Sequence, residues 1–106
     1  MSGQHRQTTL SQTVKRLRLS RSANRDLDRI FHYWAKRSGM VAADRVIDSI
    51  TEKLWVIATL PAANPSSRSA PECLVYPIGS YIVYYKIKRD VIAIAAIIHG
   101  SRKPKP

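Results

Sequence analysis

Residues 91–98, VIAIAAII, contain no polar or charged side chain. Five of the eight are β-branched, which favours extended chain over helix. A strand apolar on both faces belongs in the middle of a sheet, covered on both sides or placed against a partner. The run is far shorter than the ~18–20 apolar residues that span a bilayer. Any fold of this chain must therefore supply neighbouring strands and an apolar cover for this segment.

The neighbours are legible on the N-terminal side. Residues 81–88 (YIVYYKIK) are rich in β-branched and aromatic side chains and end in exposed charge. Tyr81, Val83, Tyr85 and Ile87 share one face, and Ile82, Tyr84, Lys86 and Lys88 share the other. The face with Lys86 and Lys88 suits solvent or an acidic partner. Residues 72–77 (ECLVYP) read as a further strand, Ile78-Gly79-Ser80 as a turn, and Arg89-Asp90 as a second tight turn. Three successive strands joined by short turns form an antiparallel meander. Residues 14–19 (VKRLRL) alternate, with Leu17 and Leu19 inward and Arg16 and Arg18 outward. They read as a short strand joining the sheet at an edge.

The cover lies between them. Ser20 or Ser22 can cap a helix, and Asp26 and Asp28 sit toward its positive end. Ala23, Leu27, Ile30, Phe31 and Trp34 form an apolar stripe at helical spacing. Gly39 stops this helix after Lys36 and Arg37. A second helix runs from about residue 41 to 60 on the stripe Ala43, Ile47, Ile50, Leu54 and Ile57, and Pro61 ends it. So short a link folds the pair into an antiparallel hairpin. Residues 61–71 (PAANPSSRSAP) are a loop. The expectation is one α+β domain over residues 14–102: a strand, a two-helix antiparallel hairpin, then a three-stranded antiparallel meander. A flexible N-terminal arm (residues 1–13) and a basic tail (residues 103–106) flank it.

A chain of 106 residues has room for one core. Its single cysteine, Cys73, excludes an internal disulfide, and it reads as a buried small hydrophobe on a strand. With no apolar leader near the N-terminus, a reducing cytoplasm is the expected compartment. His5, His32 and His99 show no ligand spacing, so no metal or cofactor is expected. The 18 Lys and Arg exceed 7 Asp and Glu, for a net charge of +11. Residues 1–25 hold six cations and no acid; residues 86–106 hold six and only Asp90. If the two ends meet, they make a positive face that draws nucleic acid or an acidic protein.

Leu19-Ser20 followed by Ala23 and Asp26-Leu27, the segment from Gly79 to Ile87 ending in Tyr-Lys-Ile, Asp90 at the turn, and His99-Gly100 before a basic residue form an ordered set. In that order and spacing the chain resembles the ParE/RelE superfamily of bacterial type II toxin–antitoxin toxins, most closely the ParE branch, over residues 14–102. The resemblance implies growth arrest, plasmid stabilisation, inhibition of DNA gyrase, and neutralisation by a cognate antitoxin whose acidic or amphipathic C-terminal segment wraps the toxin in a hetero-oligomer. Its RelE-like alternative is ribosome-dependent cutting of mRNA. A decayed, non-toxic partner-binding relative is a third class.

General acid–base chemistry needs a titratable group within hydrogen-bond reach of the moving proton. Many relatives have an arginine three residues before the His-Gly pair; this chain has Ala96. The tail after Gly100 holds no Tyr or His, so no catalytic residue is expected. The ribonuclease alternative would need Lys86, His99 and Arg102. Candidates for contact with the target are Lys86, Lys88, His99, Arg102 and Lys103. His99 reads equally as a strand-end residue whose ring bonds the turn. Candidates for the antitoxin are Arg16, Arg18, Leu27, Trp34, Trp55 and Tyr84. Of these, Trp34 also reads as core, and Trp55, off the second helix's stripe, as half exposed.

Overall fold

The computed structural model describes residues 16–101. Strand β1 (Arg16–Leu19) leads into helix α1 (Arg21–Ser38) and helix α2 (Met40–Thr59); β2 (Leu74–Ile78), β3 (Tyr81–Lys88) and β4 (Val91–His99) follow. The sheet order is β1-β4-β3-β2. The last three strands form the expected meander, and β1 lies at an edge, parallel to β4. Gly39, at φ +93°, joins the helices; a side chain there would be strained. The arm at residues 1–13, Val14, Lys15, Arg102 and Lys103 lie outside the described residues.

The helices cover one face of the sheet. Ile30 of α1 and Ile50, Leu54 and Ile57 of α2 pack with Val83, Tyr85, Ile92, Ile94 and Ile97 in one buried cluster. The α1 stripe is rotated from the expected one: the buried positions are Ala23, Asp26 and Ile30, while Leu27, Phe31 and Trp34 are only partly covered. Strand β2 starts two residues later than its sequence pattern suggests, because Cys73 is buried in the turn before it, where its N–H bonds the Ala70 carbonyl.

Strand β4 carries a bulge. Tyr84 pairs with Ala96 and Tyr85 with Ile94, which leaves Ala95 without a partner on β3. The bulge turns Ile92, Ile94 and Ile97 onto the helix face and Val91, Ala93, Ala96 and Ile98 onto the other. The β4 residues of that second face are half-buried, Tyr84 of β3 on the same face is 6% exposed, and among the described residues no helix lies over it. Alanines expose little apolar area, so half of the strand tolerates an open face.

Strand β1 ends at Leu19 opposite Ile94. Beyond that point the edge of β4 is closed by the start of α1. The Ser20 N–H donates to the Ile94 carbonyl (3.0 Å) and the Ser20 hydroxyl to that of Ala95 (3.0 Å). The same hydroxyl caps α1 by accepting from the Ala23 N–H (3.0 Å). Asp26 Oδ2 accepts from the Ile97 N–H at 2.9 Å. Asp26 thus serves the sheet edge from the second turn, and not the helix dipole in the first turn that its position suggested.

Tyr85 holds the long loop. Its fully buried hydroxyl donates to the Pro61 carbonyl and accepts from Asn64 Nδ2 at 2.9 Å. Burial pushes this phenol above its ordinary value of 10, with the Asn64 bond partly opposing. The folded state holds the proton more tightly, so stability is full below pH ~10 and falls as the pH rises through the elevated native value. Tyr85→Phe removes the hydroxyl and should cost about 1–2 kcal/mol in urea unfolding at neutral pH, and should flatten the alkaline decline.

Candidate target and partner surfaces

The parallel pairing of β1 with β4 builds a charged surface. Arg16 stands opposite Val91, which stands opposite Lys88; Arg18 stands opposite Ala93, which stands opposite Lys86. Residues paired across a sheet point to the same side. Two rows of cations therefore cross the face opposite the described helices, each interrupted by a small or medium apolar residue. Arg16, Arg18 and Lys88 are exposed and Lys86 is half-buried. Lys86 lies close enough to Cys73 to favour its thiolate, but burial dominates and pushes the thiol up. Cys73 is therefore a poor nucleophile.

His99 is elsewhere. It pairs with Tyr81, five residues along β3 from Lys86, or about 17 Å at ~3.4 Å per residue. It also lies on the helix side of the sheet. Its ring meets Tyr81 edge-on at 5.5 Å between centroids, and the Tyr81 hydroxyl accepts from Trp34 Nε1 at 2.9 Å. Its Nδ1 accepts from the Ser101 N–H (3.2 Å) and lies 2.8 Å from the Ser101 hydroxyl. The structure brings Arg16, Arg18, Lys86 and Lys88 together and separates His99 from them.

The helix pair presents a different surface. Leu27 and Phe31 of α1 and Ile47 of α2 line an open cleft of about 480 Å³, with Asn24 and Asp28 at its rim. Farther along α2, Trp55 is 51% exposed and Leu60 71%. An exposed tryptophan beside aliphatic surface suits a protein partner. Trp34 is half-buried and tied to Tyr81, and Tyr84 is 6% exposed, so neither offers a free ring.

The family model described as "ParE toxin of type II toxin-antitoxin system, parDE" matches residues 17–104. The chain belongs to the ParE toxin family. Its fold is shared with the chromosomal ParDE toxin–antitoxin system from P. aeruginosa at a TM-score of 0.73 and 19% identity, covering 82% of this chain and 97% of that one. The toxin–antitoxin complex RelBE2 from Mycobacterium tuberculosis is similar at a TM-score of 0.64 and 17% identity, covering 82% and 92%. No curated protein sequence matches.

In this ParE-type toxin, Ala96 lies on the open sheet face, beside buried Tyr84 and in the strand that separates the two lines of cations. The position where the resemblance led to an expected arginine thus lies on the same sheet face as the cations. Sequence reading assigned Arg16 and Arg18 to the antitoxin and Lys86 and Lys88 to the target, and expected one positive face only if the two chain ends meet; the pairing of β1 with β4 brings these four together. The available signal was that β4, as a central strand, needed a second neighbour, and only residues 14–19 could provide it. Among the described residues no cluster of His, Cys, Asp and Glu could hold a metal ion, and no helix is long and apolar enough to cross a membrane.

Proposed function

We propose that this ParE-type toxin inhibits DNA gyrase through the open basic face of its sheet and is neutralised by a cognate antitoxin laid along its helix pair. The observation that carries this reading is the gathering of Arg16, Arg18, Lys86 and Lys88 on the sheet face opposite the described helices. Arg102 and Lys103, which follow β4 in the chain, carry two further positive charges. The antitoxin's amphipathic segment fits the cleft of Leu27, Phe31 and Ile47 and the exposed Trp55, a helix-in-groove mode of recognition. Its acidic residues reach Arg16 and Arg18 at the β1 edge. A toxin that acts by holding its target needs charge complementarity and no proton shuttle. The cationic rows supply the first, and His99 stands on the opposite face.

The test pairs two assays of purified toxin: gyrase supercoiling with accumulation of cleaved DNA, and mRNA cutting on translating ribosomes. Inhibition with trapped cleaved DNA is expected. Replacing Lys86 and Lys88 together by Gln should raise the half-inhibitory concentration about tenfold or more, since ~1.4 kcal/mol of lost contact is a factor of ten. Unchanged supercoiling at large toxin excess would overturn the gyrase reading. Message cutting would replace it with the ribonuclease, and inactivity in both arms with a non-toxic binding protein.

A further inference from the structure

We infer that the two cationic rows form a trough for the sugar–phosphate backbone of single-stranded DNA. The inference rests on the reading of this face as the target surface and names the chemistry it takes. Arg16 and Arg18 lie on β1, and Lys88 and Lys86 on β3, with β4 between them. Two strand spacings separate the rails by about 9.6 Å, and two residues separate the rows by about 6.7 Å. Both rails touch the same nucleic-acid strand only if that strand is narrow enough to lie between them. The floor there is Val91 and Ala93, and these short side chains let a backbone come close. All four cations have long stems that bend over a strand lying on this floor.

The trough reads charge and not sequence. Tyr84, the aromatic on this face, is buried, so no ring is offered for base stacking, which in other single-strand sites adds to the electrostatic attraction. The acids nearest the rows are Asp90, in the turn before β4, whose carbonyl accepts from the Arg16 N–H (3.0 Å), and Glu72, before β2. Both lie outside the rows, so the floor between the cations carries no carboxylate.

The test is fluorescence anisotropy of the full chain with a labelled ~20-nucleotide single strand of mixed sequence across a salt series. The same sequence as RNA, the same sequence as duplex, and poly-glutamate as competitor complete the set. For single strands, log K falls with log salt by about 0.7 for each phosphate contact. Replacing Arg16, Arg18, Lys86 and Lys88 by Gln should therefore flatten the slope by about 2.8 and weaken binding more than tenfold near 0.1 M salt. A control variant with Arg21, Arg25 and Arg29 of α1 replaced by Gln removes exposed charge outside the trough and should leave the slope within one contact of the parent. Thermal unfolding of both variants establishes that they are folded. If they lose slope equally, binding is diffuse charge and the trough is overturned. Tighter binding of duplex, or displacement by poly-glutamate at equal charge concentration, also overturns it; RNA bound tenfold more tightly than DNA overturns DNA as the ligand. No gyrase is present, so binding here without inhibition in the supercoiling assay rejects the gyrase reading alone, and inhibition without binding rejects the trough alone.

Discussion

Asp26→Ala is expected to destabilise the fold by about 2–3 kcal/mol. At ~4–8 °C per kcal/mol for a domain of this size, that is a fall in Tm on the order of 10–20 °C. Asp26 is 9% exposed as a residue and its Oδ2 is 2.9 Å from the Ile97 backbone nitrogen. Removing it leaves a buried donor without a partner, which costs the desolvation of that group as well as the bond. Arg29 contributes little to this sum. Its guanidinium is 3.7 Å from Oδ1 and its side chain is 73% exposed, so the pair is weak and screened. Asp26→Asn keeps an oxygen acceptor of the same shape and should cost about 1 kcal/mol. Equal losses in the two variants would mean that charge, and not the bond to Ile97, is what matters. The check is urea unfolding of both, with hydrogen exchange at Ile97 as the local readout.

Ile94→Ala should cost about 3 kcal/mol, within the ~2–5 kcal/mol range of large-to-small changes in a packed core. Ile94 is fully buried among residues of both helices and β3. Ala93 and Ala96, one position before it and two after, face the open side, and Ala93→Ser or Ala96→Ser should change stability by less than ~1 kcal/mol. The contrast tests the two-sidedness of β4 directly. If Ala93→Ser were as damaging as Ile94→Ala, the open face would be a buried one.

Local patterns carried most of the fold. Of the stripe Ala43, Ile47, Ile50, Leu54 and Ile57, all but the half-buried Ile47 are buried as the spacing requires, and β3 occupies residues 81–88 as its alternation predicts. The rotation of α1 was hidden because one buried position on its core face is an aspartate, and a search for apolar residues passes over it. The bulge at Ala95 was hidden because in an unbroken apolar run one register looks like another. Neither the bulge nor its three hydrogen bonds to Ser20 and Asp26 leaves a local trace, since the partners are about 70 residues apart. The charge asymmetry of the two chain ends did point to one positive face. Which cations share it depended on the parallel register of β1, a long-range pairing that no window of sequence contains.

That register has a consequence for the order in which the protein is made. Arg16 meets Val91, and Arg18 meets Ala93, across 75 residues of chain. One rail of the basic face is synthesised 75 residues before the strand beside it. Strand β1 has nothing to pair with until β4 leaves the ribosome. A chain ending before Val91 therefore lacks both the middle of the charged face and the Ile92, Ile94 and Ile97 side chains on which the helices pack, so core and charged surface are completed by the same strand.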